Sequence, residues 1–308
     1  MRNTFIRALA DCARRDPRIF LITADLGYSV LEDFAREFPD RFLNVGVAEQ
    51  NAVGVAAGLA MSGRTVFVYS IVPFATMRCF EQIRVDVAYA GANVKMVGVG
   101  AGLSYGPAGA THHSLEDIAL MRALPGMTVL CPGDPVETYA LVTQAAALAG
   151  PAYLRLGKGG EPMVHAESRE IRIGQAVRLR EGTDAVLLTT SNQLETGAKV
   201  AALLTDEGIT LAHWSQHTIK PFDETPLRTA IAAGVPVITL EEHSRIGGLG
   251  SAAAEFLAEA CAQAGLLRLG LADEYTHVVG SQAYLRRQLG LDPESLRTRI
   301  RGFLQGKV

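Results

Sequence analysis

The stretch NVGVAEQNAVGVAAGLA, residues 44–60, consists almost entirely of small and apolar residues and contains one carboxylate, Glu49. The run QNAVGVAAGLAMSG, which follows the turn at residues 45–46, predicts a helix that ends at Gly63. Its alanines and glycines would let another helix or subunit pack closely against it. Two interpretations of Glu49 stay open: it opposes the helix dipole, or it is kept from water to exchange a proton with a bound nitrogen base.

Around this stretch, short apolar runs alternate with alanine- and leucine-rich runs. RIFLITADL, TVFVYS and VKMVGVG are apolar throughout, which is typical of parallel strands that helices cover on both faces. The alternation returns later in DAVLLTTS, ITLAHWSQ and VPVITLEEH. We therefore predict an α/β fold with two doubly wound, mainly parallel-sheet domains, residues 1–160 and 183–308. A polar linker with at most one hairpin joins them over residues 161–182.

Two further helices are predicted from local signals. Residues 134–150 begin with Asp134 as the N-cap, Pro135 at the first helical position and Glu137 completing a capping box. The run TMRCFEQIRVDVAYAG, residues 76–91, predicts a second helix between two strands.

Composition and charge exclude several classes of function. The 308 residues carry a net charge of −3, so no basic surface for nucleic acid or an acidic membrane is expected. Four cysteines lie far apart without metal-ligand spacing, which is typical of reduced thiols, and no metal site is predicted. No signal-peptide core and no apolar run of membrane-spanning length are present. We expect a cytoplasmic protein that binds neither nucleic acid nor membranes.

The stretch YSIVPFATMRCF, residues 69–80, places three large apolar residues at helical spacing. Phe74, Met77 and Phe80 fall at i, i+3 and i+6, a pattern that core packing usually explains. Pro73, however, marks a strand-to-helix turn at the carboxyl end of a strand, where ligands of α/β folds tend to bind. An aromatic ring at that edge could stack on a flat heteroaromatic group.

The loop GLSYGPAGATHHSLED, residues 102–117, carries adjacent histidines and leads into a helix that Ser114 and Asp117 are expected to cap. His112 and His113 lack a third metal ligand with suitable spacing. They are candidates for general acids or hydrogen-bond donors, and the alternative is that they are ordinary surface residues.

Together and in order, these stretches resemble the C-terminal half of transketolase and of its relative 1-deoxyxylulose-5-phosphate synthase, over essentially the whole chain. The stretches that carry the resemblance are ADL (24–26), NVGVAEQNAVGVAAGLA (44–60), VYSIVPFATMRCFEQIRVDVAY (68–89), GATHHSLEDIALMRALPGMTV (109–129), HTIKPFD (217–223) and EEHSRIGGLGSAAAEFLAE (241–259). The resemblance implies a pyrimidine-binding domain followed by a transketolase C-terminal domain. It also implies a transferase that moves a two-carbon ketol unit between sugar or sugar phosphate substrates, with thiamine diphosphate as cofactor.

The resemblance further implies a partner subunit. In this family a separate domain with a GDG…N motif holds the cofactor's diphosphate and Mg²⁺, and this sequence lacks that motif. The nearest match, Gly133-Asp134-Pro135, contains a proline that removes a backbone donor. The chain is therefore identified as the second subunit of a split transketolase. An N-terminal-type subunit would supply the diphosphate site, in a heterotetramer that self-associates through this chain.

Residue by residue, the resemblance assigns a cofactor site. Glu49 matches the glutamate that hydrogen-bonds N1′ of the aminopyrimidine and supports its proton relay. Phe74 and Phe80 match aromatic positions around the pyrimidine, with Met77 between them, and Asp25 matches a motif acid close to the cofactor.

The resemblance also assigns substrate contacts. His112 matches the histidine that contacts the donor sugar, and His113 beside it is a further candidate for substrate binding. Arg155 matches an arginine that receives the sugar phosphate, and Arg78 is similar to an arginine used for phosphate by the deoxyxylulose synthases.

Departures from the family pattern leave the substrate and the reaction open. Ala108 replaces an acid that recognises a donor hydroxyl, and Gly100 replaces a polar or basic residue. A decarboxylating synthase or the β subunit of a 2-oxo-acid dehydrogenase would keep the cofactor, although ATHHSLED favours transketolase. The remaining alternative is a non-catalytic scaffold or a nicotinamide-binding domain that uses GGLGSA, residues 247–252. We interpret that run instead as a tight turn that begins a helix.

Overall fold

Two mostly parallel β-sheets, joined by helices, organise residues 1–306, which are the residues that the computed structural model describes. The strands are β1 (Ile19–Thr23), β2 (Phe42–Asn44), β3 (Thr65–Ile71), β4 (Val94–Val99), β5 (Thr128–Leu130), β6 (Ala152–Leu156), β7 (Val177–Arg180), β8 (Ala185–Thr189), β9 (Leu211–Ser215), β10 (Thr218–Lys220), β11 (Val237–Ser244) and β12 (Leu266–Leu271). The helices are α1 (Arg2–Arg15), α2 (Glu32–Glu37), α3 (Glu49–Met61), α4 (Val72–Thr76), α5 (Phe80–Gln82), α6 (Asp117–Ala123), α7 (Pro135–Ala147), α8 (Leu194–Asp206), α9 (Thr225–Ala233), α10 (Leu249–Glu259), α11 (Gln282–Gln288) and α12 (Pro293–Leu304). Among these residues, none of the helices combines the length and apolar character needed to cross a bilayer.

The first sheet has the strand order β10-β5-β6-β4-β3-β1-β2. All of its pairings are parallel except that of β10 with β5. Every residue of β3, β4 and β6 is buried, as expected for strands that are covered on both faces. The carboxyl ends of β1, β2, β3, β4 and β6 therefore meet at one edge of this sheet.

The second sheet has the order β12-β11-β8-β9-β7, with β7 antiparallel to β9. The predicted α/β fold with two doubly wound, mainly parallel sheets is confirmed. Two details differ from the expectation. β7 lies inside the predicted linker, residues 161–182, and β10 leaves the second domain to add an antiparallel edge strand to the first sheet.

The two sheets share a hydrophobic core. One cluster of buried side chains contains Met127 and Val129 from the first sheet region and Val186 and Trp214 from the second. Because this core crosses the domain boundary, the two domains bury apolar surface against each other.

The predicted helix over residues 76–91 is wrong as a single element. The chain turns after α4, forms the short helix α5, and continues as a π-helix over Ile83–Tyr89. The buried Cys79 thiol donates to the Ala75 carbonyl oxygen at 3.2 Å within the turn. π-Helical turns are frequent at functional sites, and this one follows directly on the aromatic stretch.

Of the two hydrogen bonds that the predicted capping box of α7 requires, one is confirmed. The Asp134 carboxylate accepts the Glu137 N–H at 2.8 Å, as an N-cap should. The Glu137 carboxylate, however, accepts the Gly133 N–H at 2.6 Å instead of the Asp134 N–H. The reciprocal bond of the capping box is thus displaced by one residue.

Candidate functional site

The carboxyl edge of the first sheet gathers most of the predicted site residues. Asp25 follows β1, Glu49 opens the helix after β2, and Phe74 lies in the helix after β3. The loop of residues 100–116, with both histidines, follows β4. Parallel strands place the segments after them at one edge, which is where ligands bind in open α/β sheets.

Glu49 is the first residue of α3 and is only 2% exposed. Its carboxylate accepts a hydrogen bond from Arg78 Nη1 at 2.6 Å and a longer one, at 3.3 Å, from the Ser70 hydroxyl. A first-turn acid that only opposed the helix dipole would need neither burial nor a cationic partner. Its placement therefore favours a carboxylate that is held ready for a ligand.

Arg78 bridges Glu49 and Phe74. Its guanidinium carbon lies 4.3 Å from the centroid of the Phe74 ring while its Nη1 donates to Glu49. A flat group that carries N–H donors can therefore stack on this ring and bond this carboxylate at the same time. An aminopyrimidine has both properties, so these residues fit the pyrimidine part of thiamine diphosphate.

His112 lies against the Phe74 ring and so joins the group formed by Glu49, Arg78 and Phe74. Its ring meets the Phe74 ring edge-on at 5.2 Å between centroids and approaches the Tyr105 ring at 6.1 Å. Its Nδ1 lies 2.9 Å from the Thr111 hydroxyl, and the ring is partly exposed. Glu49, Arg78, Phe74 and His112 thus form one continuous cluster.

The neighbouring histidine has a different environment. His113 is 4% exposed, and burial, outweighing a hydrogen bond from its ring to the Gly106 carbonyl oxygen, lowers its pKa. It is therefore neutral at pH 7 and supports the loop from inside. The structure places His112 at the cluster and His113 behind it.

Met77 and Phe80 do not join Phe74 on one helical face, because the chain turns between them. Met77 lies in the turn and is half-buried. Phe80 begins α5 and packs against the large hydrophobic core. Phe80 therefore contributes to core packing, one of the interpretations that the i, i+3, i+6 pattern left open, and its place beside the pyrimidine stays a prediction.

Asp25 lies at the same edge in a left-handed backbone conformation, with φ of 54°. Its carboxylate accepts hydrogen bonds from Asn44 Nδ2 at 3.1 Å and from the Tyr28 hydroxyl at 3.0 Å, and these bonds lower its pKa. Left-handed geometry is costly for a residue other than glycine and is often found at functional sites. Sequence reasoning missed Asn44, although it opens the stretch at residues 44–60.

Arg155 is surrounded by acceptors of the protein itself. The side chain is 0% exposed and pairs with the equally buried Asp117, with Nε 2.8 Å from Oδ2. Its other donors bond the Ser191 hydroxyl and the backbone oxygens of Ser114 and Glu242, at 2.9–3.1 Å. The expected phosphate contact is not supported, because protein acceptors across the domain boundary occupy the guanidinium.

Asp117 also departs from its expected role as a cap. It is the first residue of α6, and its carboxylate accepts from the Ser114 and Tyr153 hydroxyls at 2.7 and 2.6 Å. Burial alone would raise the pKa of Asp117, but Arg155, His243 and the hydrogen bond from Tyr153 together outweigh burial, so the pKa is lowered. The sequence could not show that Arg155, 38 positions away, forms an ion pair with this acid.

A buried cluster near α7 contains residues of the types that bind metals, but hydrogen bonds within the protein occupy their carboxylates. Asp134, Glu137 and His165 offer ligand atoms within 4.8 Å of one another. Asp134 accepts the Glu137 and His165 N–H groups, and Glu137 accepts from Gly133 N–H, His165 Nε2 and the Ser215 hydroxyl. The carboxylates are thus used to join three segments of the chain.

The GGLGSA run begins α10, as expected for a tight turn that starts a helix, with Gly247 at φ of 77°. The buried Glu241 carboxylate accepts the Leu249 and Gly250 N–H groups at 2.7 and 2.8 Å. These are the donors that a dinucleotide pyrophosphate would use. Because an internal acid holds them, the geometry argues against the nicotinamide alternative.

Two family models match the chain. The one described as transketolase, pyrimidine binding domain, matches residues 1–161, and the one described as transketolase, C-terminal domain, matches residues 174–296. The second match begins before β7, in agreement with the place of β7 in the second sheet.

Three similar proteins cover nearly the whole chain. The 6-deoxy-6-sulfo-D-fructose transketolase subunit SqwH of Clostridium sp. (strain MSTE9) is 41% identical over 96% of this chain and 92% of its own length. An apulose-4-phosphate transketolase subunit of Phocaeicola vulgatus is 38% identical, over 96% of this chain and 94% of its own. A solved structure described as a split gene transketolase, inactive beta4 tetramer, has a TM-score of 0.91 and 36% identity, covering 100% of this chain and 99% of its own.

The matches to deoxyxylulose synthases cover a smaller share of the related protein. 1-Deoxy-D-xylulose-5-phosphate synthase of Thermomicrobium roseum is 37% identical over 98% of this chain, which spans 48% of that protein. The resemblance noted in the sequence is confirmed, and the split subunits are the fuller matches. The chain therefore belongs to the transketolase family, as a transferase subunit with the pyrimidine-binding and C-terminal domains, and this family membership implies dependence on thiamine diphosphate.

Proposed function

We propose that this chain transfers a two-carbon ketol unit between sugar substrates as one half of a split, thiamine-diphosphate-dependent transketolase. The observation that carries the proposal is the buried Glu49 carboxylate beside the Phe74 ring, bridged by the flat Arg78 guanidinium. A bound thiamine diphosphate would supply an electron sink for breaking the bond next to a ketose carbonyl.

The chain's own residues would hold the pyrimidine end of that cofactor. Glu49 would share a proton with a ring nitrogen, the Phe74 face would stack on the ring, and Asp25 would lie nearby. Arg78 would release Glu49 when the cofactor binds. Met77 and Phe80 would support the turn that carries Phe74.

A separate subunit would hold the diphosphate and Mg²⁺. The Gly133-Asp134-Pro135 near match supports this division, because both Asp134 oxygens already accept backbone N–H groups within the chain. We infer a hetero-oligomer of this chain with a GDG…N subunit, self-associating through this chain, in the cytoplasm. The relative described as an inactive beta4 tetramer is a self-assembly without activity. It supports both the self-association through this chain and the need for a second subunit.

The donor would be a ketose with an anionic group at its far end. The relatives are named for a sulfonated sugar and for a sugar phosphate, both of which end in an anion. Arg78, 43% exposed and freed from Glu49, is the guanidinium proposed for that group, while His112 would contact the donor hydroxyls.

The donor pocket differs from that of ordinary transketolase at Gly100. A Cβ on Gly100 would lie 2.2 Å from the Tyr105 ring, so Tyr105 occupies the space that a polar or basic side chain would use. Together with Ala108, this change supports a donor other than the common pentose phosphates.

The reaction type is tested by donor choice, with the chain mixed with its GDG…N partner, Mg²⁺ and thiamine diphosphate. Hydroxypyruvate carries the ketol unit without a sugar tail, so its transfer to glycolaldehyde, with release of CO₂, does not depend on which sugar is recognised. Pyruvate lacks the ketol hydroxyl, and we expect it to react slower by on the order of 10²-fold or more. Preference for pyruvate would instead favour the alternatives, a decarboxylating synthase or the β subunit of a 2-oxo-acid dehydrogenase.

A further inference from the structure

The Glu242 carboxylate collects donors from several segments at the domain boundary. It lies in β11 of the second sheet, is 0% exposed, and forms a salt bridge with Arg286. The donors to it are the Leu103 N–H (2.7 Å), Asn192 Nδ2 (3.0 Å), Gln193 Nε2 (3.1 Å), Gln282 Nε2 (2.7 Å) and Arg286 Nε. Of these, Leu103 belongs to the loop after β4, which carries His112.

Both ends of that loop have hydrogen bonds that lead to Glu242 through a second residue. At its start, Asn192 Nδ2 donates to the Ala101 carbonyl oxygen at 3.1 Å as well as to Glu242. At its end, Arg155 Nη2 donates to the Ser114 carbonyl oxygen at 2.9 Å and to the Glu242 carbonyl oxygen at 3.1 Å. The start of the loop is therefore attached to the second domain directly, and its end is attached through Arg155 of β6 in the first sheet.

The loop has little freedom where it meets Glu242. Gly102 has φ of 61°, and a Cβ there would lie 2.4 Å from Glu242 Oε1. The Ser114 N–H donates to the Gly102 carbonyl oxygen at 2.9 Å, which closes the loop onto itself. His112 lies inside this closed loop, so its position against Phe74 depends on where Glu242 holds the loop.

We propose that Glu242 is a positioning residue for ketol transfer: it attaches the 101–114 loop to the C-terminal domain and thereby places His112 against the donor. The inference rests on the proposed function, and it gives the C-terminal domain an indirect part in the active site, through the position of the loop. Glu242 itself lies behind the loop and touches no reacting atom.

The test compares two neighbouring buried acids. Glu242→Gln keeps the side-chain shape but loses the charge and turns an N–H₂ group toward donors. Glu241→Gln is the matched control, because Glu241 is 1% exposed and bonds only α10 of its own domain among the hydrogen bonds of residues 1–306. In the isolated full-length chain, amide hydrogen exchange of residues 102–113 should be faster in Glu242→Gln than in wild type or Glu241→Gln.

The second readout is kinetic, in the chain mixed with its partner. Glu242→Gln should lower kcat/KM for hydroxypyruvate by on the order of 10- to 100-fold, because small displacements of a substrate-positioning group are costly. The half-saturating thiamine diphosphate concentration should stay unchanged. In the double variant, Glu242→Gln should add little to the loss caused by His112→Asn, because both substitutions act through His112.

Each outcome decides the inference. Unchanged loop exchange, or fully multiplicative losses in the double variant, would overturn it. If Glu242→Gln melts below the assay temperature, Asn192→Ala removes the bonds from Asn192 to Ala101 and to Glu242 but leaves the Glu242 charge in place, and the same results are expected. If the wild-type mixture transfers no ketol unit, the proposed function fails, while the exchange result still reports on the loop.

Discussion

Replacing Glu49 with glutamine is expected to lower ketol transfer by on the order of 10²- to 10⁴-fold while the chain stays folded. Glutamine has nearly the same shape, and its oxygen can still accept from Arg78 while its N–H₂ group donates to the Ser70 hydroxyl, but it cannot share a proton with a ring nitrogen. The loss should appear in kcat for hydroxypyruvate transfer to glycolaldehyde by the mixed subunits. Thermal unfolding of the isolated chain should change little.

Glu32→Gln is the matched control for this prediction. Glu32 is likewise the first residue of a helix, α2, but it is exposed. If Glu49 served only the helix dipole, the two variants would behave alike, with near wild-type turnover and stability changes of about 0.3–1 kcal/mol. A large loss of activity confined to Glu49→Gln supports the proton-sharing role, and equal behaviour would contradict it.

The largest effect on stability is expected at the buried pair of Asp117 and Arg155. Asp117→Asn leaves the Arg155 charge uncompensated in the domain boundary, and removing one partner of a buried pair costs about 3–5 kcal/mol. The loss should appear as a lower urea midpoint for the isolated chain. Asp33→Asn is the control, because Asp33 is 92% exposed in its pair with Arg36, and such pairs contribute about 0–1 kcal/mol.

The stabilising effect of this pair also has a defined pH dependence. Burial raises the folded pKa of Asp117, but Arg155, helped by His243 and by hydrogen bonds, brings it below its unfolded value, which is about 3.9 for an aspartate. The stabilisation is therefore complete above that value and is lost as the pH falls through the lower folded pKa. The difference in unfolding free energy between wild type and Asp117→Asn should be constant from about pH 5 to 8 and shrink below about pH 4. A difference that grew in acid would contradict this assignment.

The sequence predicted the parts of the fold that depend on neighbouring residues. The apolar runs marked the buried strands, and Asp134 with Pro135 marked the start of α7, because these signals lie within a few positions of one another. β10 was missed because it has only three residues and its partner, β5, lies some 90 positions away. No local pattern reports such a pairing.

The same distinction between local and distant signals applies to the site residues. Glu49 could be identified because an acid is unusual among small apolar residues, and Phe74 because a proline-marked turn precedes it. Arg155 is an arginine on a strand of the first sheet, as the resemblance requires, but the orientation of its side chain is determined by Asp117 and by Ser191 of the other domain. The part of Glu242 in holding the loop was invisible for the same reason, since its partners are spread between residues 103 and 286.

The most direct test of the central claim, that this chain holds only half of a cofactor site, is a titration with the partner subunit. Hydroxypyruvate transfer to glycolaldehyde is measured with Mg²⁺ and thiamine diphosphate while a GDG…N chain from the same genome is added to a fixed amount of this chain. We predict no transfer by either chain alone and a rate that rises until the two are equimolar. Full activity of this chain by itself would contradict the account.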